Sequence, residues 1–389
     1  MFPLLLVTVC LAFSILTGLD HPVRGDEGHF IETVGIFAEE PGPSTWTDYP
    51  EVTGPFFYWV YSLWGRLAGT GPAGLRVLSL ITGISALLLI YRLYRSELKA
   101  PGPVMAGMAL LLVNPYFAGL CLHVFTDMLA LLLVVIAVTA LRERRGLMLL
   151  VSVTLALLTR QYAIFMVAAA GVFLIVTLKG SGGRNRGLIA ALLAGIIPLA
   201  VMMVLWRGPA PPAGIERWII DDGPVYRIRY IYIYTAFIAL YSLPLVIFAW
   251  RRLLSIRSAA AGLALSSGAL LFPLGASEVT LAQTDTKTVG LAHGLLTRVL
   301  GTGLMMDAVF WLLCLLGFMT LTALVDIDLG SKGRTGGFPM FLSLMVLAFL
   351  VIMPFSYQVW EKYLIMVMPF FVLRLLMLVR KDDLAPGQG

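Results

Sequence analysis

Apolar runs of roughly bilayer-crossing length recur along this chain, and every second one is followed by a short cluster of Lys and Arg. With 59% hydrophobic and 13% charged residues among 389, a water-soluble globule is excluded: there is too little polar surface to cover the apolar mass. The sequence reads as an all-α polytopic membrane protein. Its basic pI of about 9.3 does not point to nucleic acid, because the cations are dispersed among short loops where bilayer orientation accounts for them.

The basic clusters are Arg92 to Lys99, Arg142 to Arg145, Lys179 to Arg186, Arg251 to Arg257, Lys332 to Arg334 and Arg380-Lys381. Placing all six in the cytoplasm predicts twelve spans, near 3–19, 75–91, 102–118, 124–141, 147–159, 161–178, 187–206, 230–250, 258–275, 305–325, 338–353 and 362–379. Both termini are then cytoplasmic, and residues 1–389 form a single transmembrane domain. Phe2 to Leu19 lacks the basic n-region and small-residue cleavage site of a secretory signal, so it is read as a span. Parity leaves Pro55 to Gly69 uncrossed, in the outer interface, where Tyr58, Trp59, Tyr61 and Trp64 anchor it. The external pieces become 20–74, 207–229, 276–304 and Phe355 to Lys362. Cys10, Cys121 and Cys314 lie inside apolar runs and read as structural.

One loop breaks the pattern of charge. Between Asp20 and Gly54 stand eight carboxylates, Asp20, Asp26, Glu27, Glu32, Glu39, Glu40, Asp48 and Glu51, against the single cation Arg24. On the predicted topology the remaining polar residues gather on the same outer face. Asp26, Glu27 and His29 follow the first span, His123 and Asp127 open the fourth, Arg160 and Gln161 turn between the fifth and sixth, and Glu361 and Lys362 open the last. Each has a plain reading: a solvated loop charge for Asp26 or Glu27, a helix cap for Asp127, a snorkelling Lys362, a satisfied polar side chain for His29 or His123. Arg160 is harder to explain that way, since a cation between two apolar helices needs a carboxylate or phosphate partner.

Together these residues point to a lipid-linked phosphate held by Arg160 and Lys362, facing a carboxylate of the first loop. Glycosyl transfer from such a lipid needs a base for the attacking hydroxyl and cations for the departing phosphate. A phosphate monoester has a second pKa of about 6 and leaves without protonation, so neither metal nor other cofactor is required. The competing class is a twelve-span transporter or flippase of a sugar or lipid-linked sugar. That class usually has matching halves and mid-membrane ionisable groups, and neither is visible here.

The Asp26-Glu27 pair with His29-Phe30, Thr53-Gly54-Pro55 before an aromatic stretch, Leu75-Arg76, Phe125-Thr126-Asp127, Arg160-Gln161, Glu361-Lys362-Tyr363, Met368-Pro369-Phe370 and Arg374-Leu375 occur in an order that resembles the polyprenyl-phosphate-sugar glycosyltransferases of the GT-C fold. Within them the nearest resemblance is to the dolichyl-phosphate-glucose-dependent alpha-1,2-glucosyltransferase family. Tyr162-Ala163 after Arg160-Gln161, and the short external loops, depart from that family's pattern. The resemblance implies a GT-C fold, an extracytoplasmic or lumenal site, inversion at the anomeric carbon, a polyprenyl-phosphate hexose donor with glucose favoured, and a glycan or lipid-linked acceptor. It implies Asp26 as base with Glu27 as the alternative, His123 beside Arg160 and Lys362 at the phosphate, and His29, Tyr58, Asp127, Gln161 and Glu361 as substrate-binding residues. Short loops and the lack of a retrieval-like tail favour a bacterial cytoplasmic membrane over the endoplasmic reticulum.

The topology is testable directly. A Cys placed at Ser44 is expected to react with an impermeant thiol reagent on intact cells. Labelling only after permeabilisation would reverse the assignment of sides.

Overall fold

The structure, a computed structural model, describes residues 18–177, 184–218, 226–272, 274–283, 287–330 and 337–383. Among these residues every regular element is helical. In chain order they are α1 (Glu27–Glu39), α2 (Pro43–Thr47), α3 (Pro55–Ala68), α4 (Pro72–Leu98), α5 (Pro101–Val113), α6 (Pro115–Leu122), α7 (Thr126–Arg142), α8 (Gly146–Thr159), α9 (Ile164–Val176) and α10 (Arg184–Trp206). There follow α11 (Pro212–Trp218), α12 (Arg229–Phe248), α13 (Trp250–Leu253), α14 (Ile256–Ser266), α15 (Glu278–Gln283), α16 (Leu291–Leu300), α17 (Leu304–Gly330), α18 (Phe338–Ile352) and α19 (Met368–Asp383). The starts are legible in the chain. Proline stands in the first turn of α2, α3, α6 and α18, where its missing N–H costs nothing. Asn114 caps α6 by accepting from Tyr116 N, and Ser255 with Ser258 forms a capping box for α14.

The protein is a multi-pass membrane protein, and the expected count of twelve crossings is not confirmed among the described residues. By length and composition α4, α10, α12, α17 and the stretch Phe338–Phe355 can each cross a bilayer, and α5 with α6 makes a sixth crossing if that broken pair is one span. Other expected spans are shorter helices. At 14 residues α8 is only about 21 Å long, short of the roughly 30 Å of hydrocarbon, because the chain turns at Arg160. The last expected span begins as a 3₁₀ turn, Glu361–Met366, before α19. Residues 3–17 of the first, with Cys10, lie outside the described residues, as do 178–183 in the expected basic loop Lys179 to Arg186. Pro55 to Gly69 forms α3, and α15 and α16 occupy the expected 276–304 loop.

The chain divides into two compact units. In the first, which comprises residues 1–96, 112–167 and 181–221, α8 packs between α7 and α10, and α3 lies between α1 and α8. In the second, α17 packs on α12 and α14, and α19 on α18 and α12. A buried ion pair ties three helices of this second unit together: Arg374 of α19 donates to Asp328 of α17 at 2.8 Å and to Ser343 of α18 at 3.1 Å. Cys121 and Cys314 are buried free thiols, one in each unit.

Because a charge left alone in such surroundings is the costly state, Asp328→Ala is expected to destabilise by about 3–5 kcal/mol. Joint replacement by Arg374→Met and Asp328→Leu should cost less than Asp328→Ala alone. Thermal unfolding in detergent measures both, and equal losses would mean the pair is not a unit.

Candidate functional site

The site in the first unit is built from α1 upward. Acidic residues suit a helix start, and Asp26-Glu27 opens α1, whose Phe30, Val34 and Phe37 form a buried stripe at helical spacing. That stripe meets α3, with Phe30 against Phe57 and Tyr58 at ring separations of 6.1 and 6.4 Å. Neighbours in sequence, the two carboxylates have different surroundings. Glu27 is fully buried and bidentate on Arg76 of α4 at 2.8 and 2.7 Å, and also accepts from Val124 N at 2.9 Å. Burial pushes its pKa up, but the Arg76 guanidinium and the Val124 N–H outweigh that and hold it below the usual carboxylate value. Arg76 in turn donates to the carbonyls of Leu19 and His21, both at 2.7 Å. Asp26 lies half-buried at the head of α1.

His29, one helical turn on, accepts from Arg217 of α11 at 2.9 Å, and Arg217 also reaches Glu32 at 3.1 Å. Burial and the Arg217 cation lower the His29 pKa, so the ring is neutral at pH 7. His123 sits at the α6–α7 turn with Nδ1 on Gly119 O at 2.8 Å and its ring 4.6 Å from that of His21; burial lowers its pKa too.

Arg160 caps the end of α8 and is nearly buried. It donates to Asp127 at the start of α7 at 2.9 Å, and Tyr162 OH donates to the other oxygen of that carboxylate at 2.9 Å. Gln161 donates to Val52 O at 2.8 Å and so holds the loop before α3 against the Arg160 turn. Gly54 N donates to Thr159 O in the same seam, and a Cβ at Gly54 would overlap the Leu158 carbonyl. From the other side α11 clamps the loop: Trp218 donates to Pro50 O at 3.0 Å, and Gly214 lies flush against the Glu51 backbone. Tyr58 is wholly buried, its hydroxyl paired with Thr53 at 2.6 Å, which places it inside this scaffold.

Glu51, at the centre of the clamped loop, is 4% exposed, and its Oε1 accepts no hydrogen bond among the described residues. Burial raises its pKa to about 8, opposed by Arg217 and Arg160 and reinforced by Asp26, so the carboxyl is largely neutral at pH 7. Asp26, Arg160 and Arg217 therefore converge electrostatically on one group. Nothing in the local sequence separates Glu51 from the seven other acids of its loop. Arg76 appears there only as part of a motif, and Arg217 only as one more loop cation.

The second unit holds the other two expected site residues. Glu361 is buried, accepting from Tyr241 OH at 2.6 Å and from the N–H groups of Ala292 and His293 at 3.0 and 2.7 Å; it caps α16. Lys362 is half-buried, its ammonium 5.8 Å from the Trp360 ring and 5.9 Å from that of Tyr363.

Residues 50–206 match the model of a family described as dolichyl-phosphate-mannose-protein mannosyltransferase. The matched stretch holds Glu51, α3, Arg76, Asp127 and Arg160; it begins after Asp26 and ends before Lys362. No curated protein matches the chain. Two similar solved structures are ArnT from Cupriavidus metallidurans in the apo state and the same protein bound to undecaprenyl phosphate, each 15% identical with a TM-score of 0.44. The alignments cover 97% and 98% of this chain and 76% and 77% of ArnT.

The neutral Glu51 has a consequence for stability. Its folded pKa lies above its ordinary 4.5, so the stability it contributes is complete below about pH 4.5 and is lost as pH rises through about 8. Glu51→Gln is expected to remove that loss, gaining on the order of a few kcal/mol over the wild type at pH 8 and little at pH 4.5. Thermal unfolding of both proteins across this range measures the difference, and parallel curves would place Glu51 in contact with water.

Proposed function

We propose that this chain is an integral-membrane inverting glycosyltransferase of the GT-C type, moving a hexose from a polyprenyl-phosphate carrier to a hydroxyl of a glycan or lipid-linked acceptor on the extracytoplasmic or lumenal face. The observation that carries this reading is the buried Arg160, held by Asp127 and Tyr162 at the turn that Gln161 fastens to the loop of the buried Glu51, within one unit. The family match, whose description names a dolichyl-phosphate sugar, supports the same donor class. It names mannose where the sequence resemblance points to glucose, so the proposal is a hexose, with both sugars to be tried.

Of the two adjacent acids, Asp26 suits the base. A general base must be reachable and able to take a proton, whereas Glu27 has both oxygens occupied and is held as a buried carboxylate. In the reaction the Asp26 carboxylate removes the proton of the acceptor hydroxyl. Its oxygen forms the new bond to the anomeric carbon as the bond from that carbon to the phosphate oxygen breaks. The electron pair leaves with the polyprenyl phosphate, whose growing charge Arg160 stabilises. Asp127 and Tyr162 orient the guanidinium for this role, with His123, His29 and Gln161 as further candidates around the substrate.

Asp26→Asn is expected to lower turnover of a polyprenyl-phosphate glucose or mannose by about 10² to 10⁴-fold with little change in donor affinity. Arg160→Lys should fold but lose donor binding, since a point charge does not replace a planar, bidentate group. A binding assay in nanodiscs separates these from a structural role: donor affinity retained in Arg160→Lys, or turnover retained in Asp26→Asn, removes that residue from the chemistry. Movement of labelled sugar across vesicles without a glycosylated product would replace the transferase reading with transport.

A further inference from the structure

The second unit contains a cavity of about 400 Å³ away from all of these residues, running lengthwise between α14 and α17 with α12 and α18 beside it. Its walls follow helical rows. Arg257, Ala261 and Leu265 lie one turn apart on α14, and Phe318, Leu321 and Asp326 line it from α17. The cleft is polar at one end only. Arg257 stands in the first turn of α14 and Asp326 near the last turn of α17; both are exposed and they form no ion pair with each other. Two residues further along α17, Asp328 already pairs with Arg374 inside the bundle, so Asp326 lies on the other side of the helix, facing out.

A membrane groove that is apolar along its length and carries both a cation and an anion at its mouth fits a particular class of molecule. Hydrocarbon suits the walls. The guanidinium suits a phosphodiester, which it can hold through two oxygens, and the adjacent carboxylate suits a primary ammonium. A lipid that carries only a phosphate would place its charge beside Asp326, and like charges at the mouth count against it. We propose that this cleft is a binding site for one aminophospholipid of the phosphatidylethanolamine type, with its phosphate on Arg257, its ammonium on Asp326 and an acyl chain along α14 and α17. The site is independent of the glycosyltransfer reading, because none of its residues belongs to the proposed catalytic set. Its consequence is a preference for bilayers rich in that headgroup, since a ligand bound only by the folded state stabilises it.

Delipidated full-length protein in detergent, titrated with phosphatidylethanolamine, phosphatidylcholine or phosphatidylglycerol of identical chains and followed by native mass spectrometry and thermal unfolding, tests this. One saturable equivalent of phosphatidylethanolamine is expected, binding about tenfold or more tightly than the other two, with a matching rise in unfolding temperature. Arg257→Ala should lose that equivalent. Asp326→Asn should keep lipid bound and lose the headgroup preference, and Ala261→Phe, which fills the groove, should exclude lipid while the apo protein unfolds as before. Equal retention of all three lipids by the wild type and by Arg257→Ala would reduce the cleft to ordinary annular lipid and overturn the proposal. So would an undiminished preference in Asp326→Asn, or tighter binding of polyprenyl phosphate than of phosphatidylethanolamine at this cleft.

Discussion

The first unit depends on a carboxylate and a guanidinium buried together with no exposed surface. Glu27 and Arg76 meet at both oxygens, Val124 N–H adds a third bond to the acid, and the carbonyls of Leu19 and His21 take the rest of the cation. Five bonds converge from segments far apart in sequence: the start of the first loop, the head of α1, the first turns of α4, and the α6–α7 turn. Each ion would be costly alone in that place, so the pair holds these segments in one arrangement. The consequence is local. With Glu27 immobilised, the neighbouring Asp26 is presented at the head of α1 in a fixed position.

A second constraint acts on the backbone. The segment from Tyr49 to Gly54 runs between the Arg160 turn and α11 with almost no spare volume, fastened by Gln161 to Val52 O, Trp218 to Pro50 O and Tyr49 OH to Thr53 O at 2.6 Å. Glycine at 54 and 214 permits that approach, since a side chain at either would collide with a neighbouring carbonyl. What the clamp holds is Glu51, a carboxyl whose charge is suppressed by burial although two arginines stand within electrostatic reach. A neutral acid there adds no further negative charge beside Arg160 and Arg217, which are already paired with Asp127 and Glu32.

Polar surroundings divide the remaining groups into two kinds. Arg160 shares one carboxylate with Tyr162, its guanidinium on one oxygen of Asp127 and the Tyr162 hydroxyl on the other. Glu361 is spent on the N-terminus of α16, as a carboxylate at a helix start is expected to be. Lys362, beside it, has its ammonium near two aromatic rings. Adjacent residues thus differ in burial in both units, Asp26 against Glu27 and Lys362 against Glu361.

The helical membrane class followed from the chain alone, because apolar run length, basic clusters and proline or Asn at helix starts are local signals that hydrocarbon and backbone geometry enforce everywhere. The turn at Arg160-Gln161 was legible for the same reason: a cation between apolar helices has few places to go. The ends of the apolar helices were not. Whether an apolar run spans depends on where the helix stops, and α8 and α19 are bounded by a buried Arg160 turn and a 3₁₀ segment that hydropathy does not register. Nor could sequence separate Asp26 from Glu27, or pick Glu51 from an acidic loop, since side chains of one type differ only in what surrounds them. Those differences come from Arg76, Val124, Arg160 and Arg217, contributed by residues tens to more than a hundred and fifty positions away, and only the tertiary structure brings them within reach.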